Sequence, residues 1–167
     1  MDLKLDGKVV LITGSSRGIG LATARAFAAE GCRIMLSARS AEQLRWAEAA
    51  LRSTGATVAA HPADVADPAN AARLIDATVT AHGGIDILIN NVGGAGRGAR
   101  IGDSSDADRR GALERNLVQT VRMMRLALPH MRGRPGAVVI NIASNFRLDA
   151  AACDVGAVRC SQGGADF

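Results

Sequence analysis

Apolar positions follow two different spacings along the chain. Short β-branched runs are typical of buried strands, and they alternate with stretches whose apolar residues recur at helical spacing. Glycine, or an Asp-Pro pair at Asp67-Pro68, marks several element ends. The pattern predicts strands at 8–13, 33–38, 57–60, 86–90 and 137–142. It predicts four helices. The first follows a glycine-rich turn that occupies residues 14–20, and the others lie at 41–53, from 68 onward and at 106–131.

This alternation predicts an α/β fold with a doubly wound parallel sheet of five strands, each strand covered by helices on both faces. The long helix at 106–131 has one apolar stripe, formed by Leu113, Leu117, Val121, Met124, Leu128 and Met131. Residues 1–146 are expected to form one nucleotide-binding domain. Residues 147–167 follow neither spacing, and we expect them to be a disordered tail.

Composition narrows the functional classes. Hydrophobic residues make up 48% of the 167 residues and aromatic residues only 2%, with a net charge of +4. The arginines form no block and few aromatic residues accompany them, so nucleic-acid binding is not expected. Cys32, Cys153 and Cys160 lack metal-ligand spacing, which predicts free thiols in a reducing compartment and no metal site. Without a long apolar run or a signal peptide, a soluble, cytoplasmic protein with no membrane partner is expected.

The strongest local signal is the glycine-rich turn TGSSRGIG at 13–20. It lies between the first strand and the first helix. Glycines permit positive φ and let a pyrophosphate approach the backbone, while the following helix presents free N–H groups. The turn therefore predicts a dinucleotide site, with a merely tight turn as the alternative.

With this turn and four later motifs, the chain resembles the short-chain dehydrogenase/reductase family over residues 5–144. The later motifs are AD-V at 63–65, NNVG at 90–93, Asn116 in the long helix and INIAS at 140–144. The resemblance implies a Rossmann fold and hydride transfer between a nicotinamide cofactor and a small-molecule carbonyl or alcohol. It also implies that full-length relatives are homo-oligomers.

The resemblance implies a set of cofactor-binding residues, and two of them bear on the choice of cofactor. An acidic residue at the end of the second strand would bind the ribose hydroxyls of NAD(H), but Ala38 stands there and Arg39 follows. Arg39 and Arg17 favour the 2′-phosphate of NADP(H); the alternative is that both are surface arginines. The full expected set is Gly14, Ser16, Arg17, Gly18, Ile19, Gly20, Arg39, Asp64, Val65, Asn90, Asn91 and Gly93.

For catalysis, the resemblance implies that Ser144 binds the substrate oxygen and that Asn116 holds a water in a proton relay. The family also uses a Tyr-x-x-x-Lys segment about 13 residues after the Ser. Here Ala157 and Ser161 stand at those positions, and the sequence has no Tyr and no Lys after Lys8. The chain also ends before the family's sixth and seventh strands and its substrate-binding segment.

Two hypotheses remain open for this chain. It is the truncated product of a reductase gene, or it is a non-catalytic dinucleotide-binding fragment or pseudoenzyme. A frameshift would explain the tail, because residues 158–167 can be encoded so that the frame one base later reads Tyr-Gly-Ala-Ala-Lys. A natural early stop after a divergent tail is the alternative, and the coding DNA distinguishes the two.

Overall fold

The computed structural model describes residues 3–94 and 104–143. Its five strands are β1 (Val9–Thr13), β2 (Arg33–Ala38), β3 (Val58–Pro62), β4 (Ile87–Asn90) and β5 (Val138–Asn141). Its helices are α1 (Gly18–Ala29), α2 (Ala41–Arg52), α3 (Pro68–His82), α4 (Asp106–Leu113) and α5 (Gln119–Met131), with a π-helical segment, Glu114–Val118, between α4 and α5. The predicted elements are therefore all present, with boundaries within two residues except inside the long helix.

All strand pairings are parallel, and the strands are ordered β3-β2-β1-β4-β5. Alternate residues of β1 face opposite sides of the sheet, so it contributes to two cores. Val10 and Ile12 pack with residues of α1 and α2, whereas Leu11 packs with residues of α3 and α5. The doubly wound parallel sheet expected from the alternation is confirmed.

Local hydrogen bonds explain where most helices begin. The side chains of Ser40, Asp67 and Ser105 accept hydrogen bonds from the backbone N–H groups of the first turns of α2, α3 and α4. Pro68 occupies the start of α3, as the Asp-Pro pair predicts. The α3 helix ends at Gly83, whose φ of 83° is accessible to glycine at little cost.

The predicted stripe of the long helix is wrong at four of its six residues, whereas Met131 is buried and Met124 packs against the core as predicted. Leu113, Leu117, Val121 and Leu128 are each about half exposed, and the buried residues of α5 are Gln119, Met123, Ala127 and Met131. Neither α4 nor the π-helical segment buries a residue, and the buried face of α5 does not include Val121 or Leu128. A period read across residues 106–131 assumes one uninterrupted α-helix.

The expectation that every strand is covered on both faces also fails, at β5. Val138 and Ile140 are 43% and 38% exposed, and Ile142 just beyond the strand is 43% exposed. These residues share one face of an edge strand, because side chains alternate along a strand. Among the described residues, nothing packs fully over this face.

Other expectations concern metals, membranes and thiols. No helix in the described ranges is long and apolar enough to cross a membrane. Within the same ranges, no group of three metal-ligating side chains comes together. Cys32 is a free, buried thiol, and burial raises its pKa to about 11. Cys153 and Cys160 lie outside the described residues.

An ion pair joins the amino ends of the central strands to the segment before β5. Asp86 Oδ1 and Oδ2 accept hydrogen bonds from Arg134 at 2.8 and 3.0 Å. Oδ2 also accepts one from the Val9 backbone N–H at 2.8 Å. The Arg134 hydrogen bond is the main reason that the pKa of Asp86 lies below its ordinary value. The carboxylate thus stabilises the fold only while it is ionised.

We expect Asp86→Asn to lower the free energy of unfolding at neutral pH by roughly 1.5–3 kcal/mol, the range for hydrogen bonds to charged groups. Because the folded-state pKa is depressed, this contribution is present above the unfolded pKa and is lost as pH falls through the folded pKa. The difference in the free energy of unfolding between wild type and variant should therefore shrink as pH falls below about 4.

Urea denaturation at several pH values measures this difference. Asp76→Asn is the control, because Asp76 lies exposed on α3. The same pH dependence in both variants would contradict the assignment to the Asp86–Arg134 pair.

Candidate nucleotide site

The main cleft lies at the carboxyl ends of β1 to β4. It has a volume of about 580 Å³. Because β1 is hydrogen-bonded to both β2 and β4, the chain order reverses here, and this is the position where open α/β sheets bind ligands. The expected cofactor-binding residues that line the cleft are Gly14, Ser16, Arg17, Arg39, Asp64, Val65, Asn91 and Gly93.

The glycine-rich turn is shaped by close backbone approach. Gly14 has a φ of 67° and Gly18 a φ of 56°. A Cβ on Gly20 would collide with the backbone carbonyl of Gly14 and would lie 2.7 Å from Asn91 Nδ2. A Cβ on Gly18 would instead meet nothing within 4 Å. Gly20 is therefore required for packing of the turn, whereas Gly18 borders open space.

Two polar side chains hold the turn against its neighbouring strands. Ser15 Oγ accepts from the Ser37 backbone N–H at 2.8 Å and donates to the Ile12 carbonyl at 2.9 Å. Asn91 Nδ2 donates to the carbonyls of Thr13 and Gly14, both at 3.1 Å. The turn is thus fixed to β2 on one side and to the end of β4 on the other.

The amino end of α1 differs from those of α2, α3 and α4, each of which has a side-chain cap. Its N-cap, Arg17, makes no side-chain capping bond, and its first turn contains no acidic residue. The first N–H groups of α1 therefore remain available, and the helix dipole favours an anion there. The turn and the helix together form an anion-binding end of the cleft.

Two arginines flank this end of the cleft. Arg17 and Arg39 are both exposed and both line it. Neither forms an ion pair with another described residue. Ala38, which ends β2, contributes no charge. The cleft wall beside β2 therefore carries two arginines, and no described carboxylate, Asp64 included, forms an ion pair with either.

Four residues of the expected set do not line the cleft, namely Gly18, Ile19, Gly20 and Asn90. Asn90 is buried, and its Nδ2 donates to Asn141 Oδ1 at 2.9 Å, which links β4 to β5. Its own Oδ1 has no partner among the described residues. Ile19 is 60% exposed at the start of α1. Asn90 thus has a visible structural role.

Asn116 lies in the middle of the π-helical segment. Its Oδ1 accepts from the Gly94 backbone N–H at 2.9 Å, and its Nδ2 donates to the carbonyls of Gly94 and Ala112 at 3.0 and 2.9 Å. The side chain therefore fixes the segment after β4 against the helix. Ser144, the other expected catalytic residue, lies outside the described residues.

The cleft also contains residues that the sequence pattern did not single out, including Gln43, Arg115 and Gln119. Gln119 is buried, and its Nε2 donates to the Val92 carbonyl at 3.0 Å and to the Arg115 carbonyl. A polar residue on the buried side of a helix was the available signal. Sequence reasoning missed it because the predicted apolar stripe lay on a different face of α5 from the buried residues Gln119, Met123 and Ala127.

Comparison with known proteins gives concordant matches. A family model for short chain dehydrogenase matches residues 8–154. A relative from Anopheles gambiae, "Dehydrogenase/reductase SDR family protein 7-like", is 36% identical over 145 residues, covering 84% of this chain and 45% of that protein. L-Sorbose reductase from Gluconobacter frateurii, solved with NADPH and L-sorbose, has a TM-score of 0.82 at 38% identity, covering 86% of this chain and 55% of that one.

A second solved structure carries the other cofactor. NADH-dependent reductase A1-R′, complexed with NAD, has a TM-score of 0.80 at 33% identity, covering 86% of this chain and 62% of that chain. This chain spans about half the length of the curated relatives it matches. The matched proteins therefore bind nicotinamide dinucleotides of both kinds.

We expect Gly20→Ala to lower the free energy of unfolding by roughly 1–3 kcal/mol, the usual cost of overpacking, because the added methyl has no space beside Gly14 and Asn91. Urea denaturation measures the change. Gly111→Ala is the control, since a Cβ there meets only Arg115 Nη1, at 3.6 Å within α4. The control should be neutral or stabilising by about 0.5–1 kcal/mol; equal losses in both variants would refute the packing argument.

Proposed function

Because the chain belongs to the short-chain dehydrogenase family of oxidoreductases, we propose that it forms the nucleotide-binding half of an NADP(H)-dependent carbonyl reductase or alcohol dehydrogenase. The observation that carries this proposal is the cationic wall of Arg17 and Arg39 beside an uncapped helix end. Guanidinium groups bind phosphate oxygens bidentately, and neither group is neutralised by another described side chain.

The residues of the cleft fit a dinucleotide. The free N–H groups of α1 and the open space beside Gly18 suit a pyrophosphate. Arg39, directly after β2, suits an adenosine 2′-phosphate, and Asp64 suits the adenine amine. Asn91 and Gly93 extend the cleft toward Asn116, on the side where the nicotinamide would lie. These assignments follow the family resemblance, and the cleft lining supports them.

For the reaction itself, a bound nicotinamide supplies or accepts the hydride, and the protein binds, orients and moves a proton. We assign Ser144 to hydrogen bonding with the substrate oxygen. Asn116 acts as a positioning residue, since its side-chain amide is already committed to Gly94 and Ala112. The proton donor of the family is a Tyr, and this sequence contains none.

The absence of Tyr from the sequence favours a second candidate for the chain as it stands. A dinucleotide-binding protein without catalysis needs the cleft but not the proton donor. In this proposal the 167-residue chain binds NADPH, and turnover requires a Tyr and a Lys that the chain does not supply.

We expect the chain to bind NADPH more tightly than NADH, by roughly tenfold to a hundredfold, because one charge-assisted phosphate contact contributes about 1.5–3 kcal/mol. Calorimetric titration with both cofactors measures this ratio. Arg39→Asp should reverse the preference, because it replaces the phosphate partner with a carboxylate for the ribose hydroxyls.

Arg45→Asp is the matched control, since Arg45 is exposed on α2 and does not line the cleft. It should leave the preference unchanged. Equal affinity of wild type for the two cofactors, or tighter binding of NADH, would overturn the NADP(H) assignment.

We expect no measurable carbonyl reduction by the 167-residue chain. General acid–base catalysis is typically worth about 10²–10⁴ in rate, and the sequence lacks the Tyr and the following Lys that move the proton in this family. NADPH consumption is followed with a panel of ketones. Robust turnover by the pure chain would show that another residue supplies the proton.

A further inference from the structure

Arg122 on α5 contacts the segment that follows β3. Its Nη1 donates to the carbonyl oxygens of Val65 and Ala66, at 3.3 and 2.9 Å. Its Nη2 forms an ion pair with Glu114 Oε1 at 2.8 Å. The Arg122 side chain is only 14% exposed, whereas that of Glu114 is 41% exposed. One guanidinium therefore bridges the post-β3 segment and the start of the π-helical segment.

The segment held in this way is residues 63–67, which we call the β3–α3 loop. Asp64 Oδ1 accepts from the Ala66 backbone N–H at 3.1 Å, and the Asp64 carbonyl accepts from the Asp67 N–H at 3.0 Å. The register of β3 with β2 ends at Pro62. Within the described ranges, Arg122 is the only hydrogen-bond donor to the Val65 and Ala66 carbonyls. The sheet therefore does not hold these two carbonyls, and Arg122 does.

The same loop forms one wall of the nucleotide cleft, through residues 63–66. The Val65 side chain is buried in the core on the α3 and α5 side of the sheet, while the Asp64 side chain is exposed. The loop is thus anchored from behind by Arg122 and Val65, and it presents Asp64 at the cleft. Arg122 itself does not line the cleft.

We propose that Arg122 is a positioning residue that holds the β3–α3 loop in the conformation that binds the adenosine end of the nucleotide. This inference rests on the proposed function, because it requires a nucleotide in the cleft. Arg is suited to this task because its planar fork reaches two carbonyls and a carboxylate at once, and it does not lose its charge. Lys carries its donors on one nitrogen and lacks the planar fork that spans several acceptors.

The test measures binding of adenosine 2′,5′-bisphosphate and of 5′-AMP to the full 167-residue chain. We expect Arg122→Met to lower the affinity for both ligands by the same factor, about tenfold. This factor corresponds to the loss of one charge-assisted hydrogen bond that holds the loop in its binding conformation. Arg122→Lys should fall between wild type and Arg122→Met. Arg125→Met, which removes the same charge from an exposed position of the same helix, should leave both affinities unchanged.

Amide hydrogen exchange separates positioning from a general loss of stability. In Arg122→Met, the N–H groups of Ala66 and Asp67 should exchange faster, while those of Val10 and Leu11 in β1 keep their wild-type protection. Faster exchange throughout the sheet would reduce Arg122 to a general structural role and overturn the proposal.

Three binding results remain to be distinguished. Loss of affinity for the bisphosphate alone would mean that Arg122 acts through its charge on the 2′-phosphate, which contradicts positioning. Unchanged affinity for both ligands in Arg122→Met would also refute it. If wild type binds neither ligand, the proposed function fails, and the positioning role fails with it.

Discussion

The hydrogen bonds between the end of β1 and the end of β4 are the constraint on which the rest of the cleft depends. Thr13 Oγ1 accepts from the Asn91 N–H at 3.0 Å, and the Asn91 side chain donates to the carbonyls of Thr13 and Gly14. These bonds lie where the strand order reverses, which is the position where open α/β sheets form a ligand-binding crevice. They fix the turn that begins α1, whose first N–H groups have no side-chain cap.

Four arginines of the described residues form two groups that differ in their partners. Arg134 and Arg122 each bind a carboxylate and hold backbone segments together, beside β5 and after β3 respectively. Arg17 and Arg39 have no carboxylate partner among the described residues and flank the cleft. A paired guanidinium has its charge compensated within the fold, whereas an unpaired one at a cleft attracts an anion. Burial and pairing, rather than position in the sequence, separate the two groups.

Where the sequence pattern failed, the reason was a missing neighbour. The long helix was predicted as one element with Leu117 and Val121 on its apolar stripe, and both are about half exposed. Helical periodicity reports which apolar residues share a face, but it does not reveal whether another element covers that face. The exposure of Val138 and Ile140 has the same origin, because a strand's apolar run does not reveal whether anything covers its second face.

The sequence by itself determined the order of strands and helices, the parallel sheet and the place of the glycine-rich turn. Those features depend on local spacing and on backbone freedom, which single residues such as Gly14 and Pro68 carry. It also determined that no Tyr is present for proton transfer. Only the tertiary structure decided that Gln119 and Arg115 join the cleft and that Arg122 bridges Glu114 and the β3–α3 loop. The Arg122 contacts join residues that are 8 to 57 positions apart. Their geometry depends on how α5, which follows the π-helical segment, packs on the sheet.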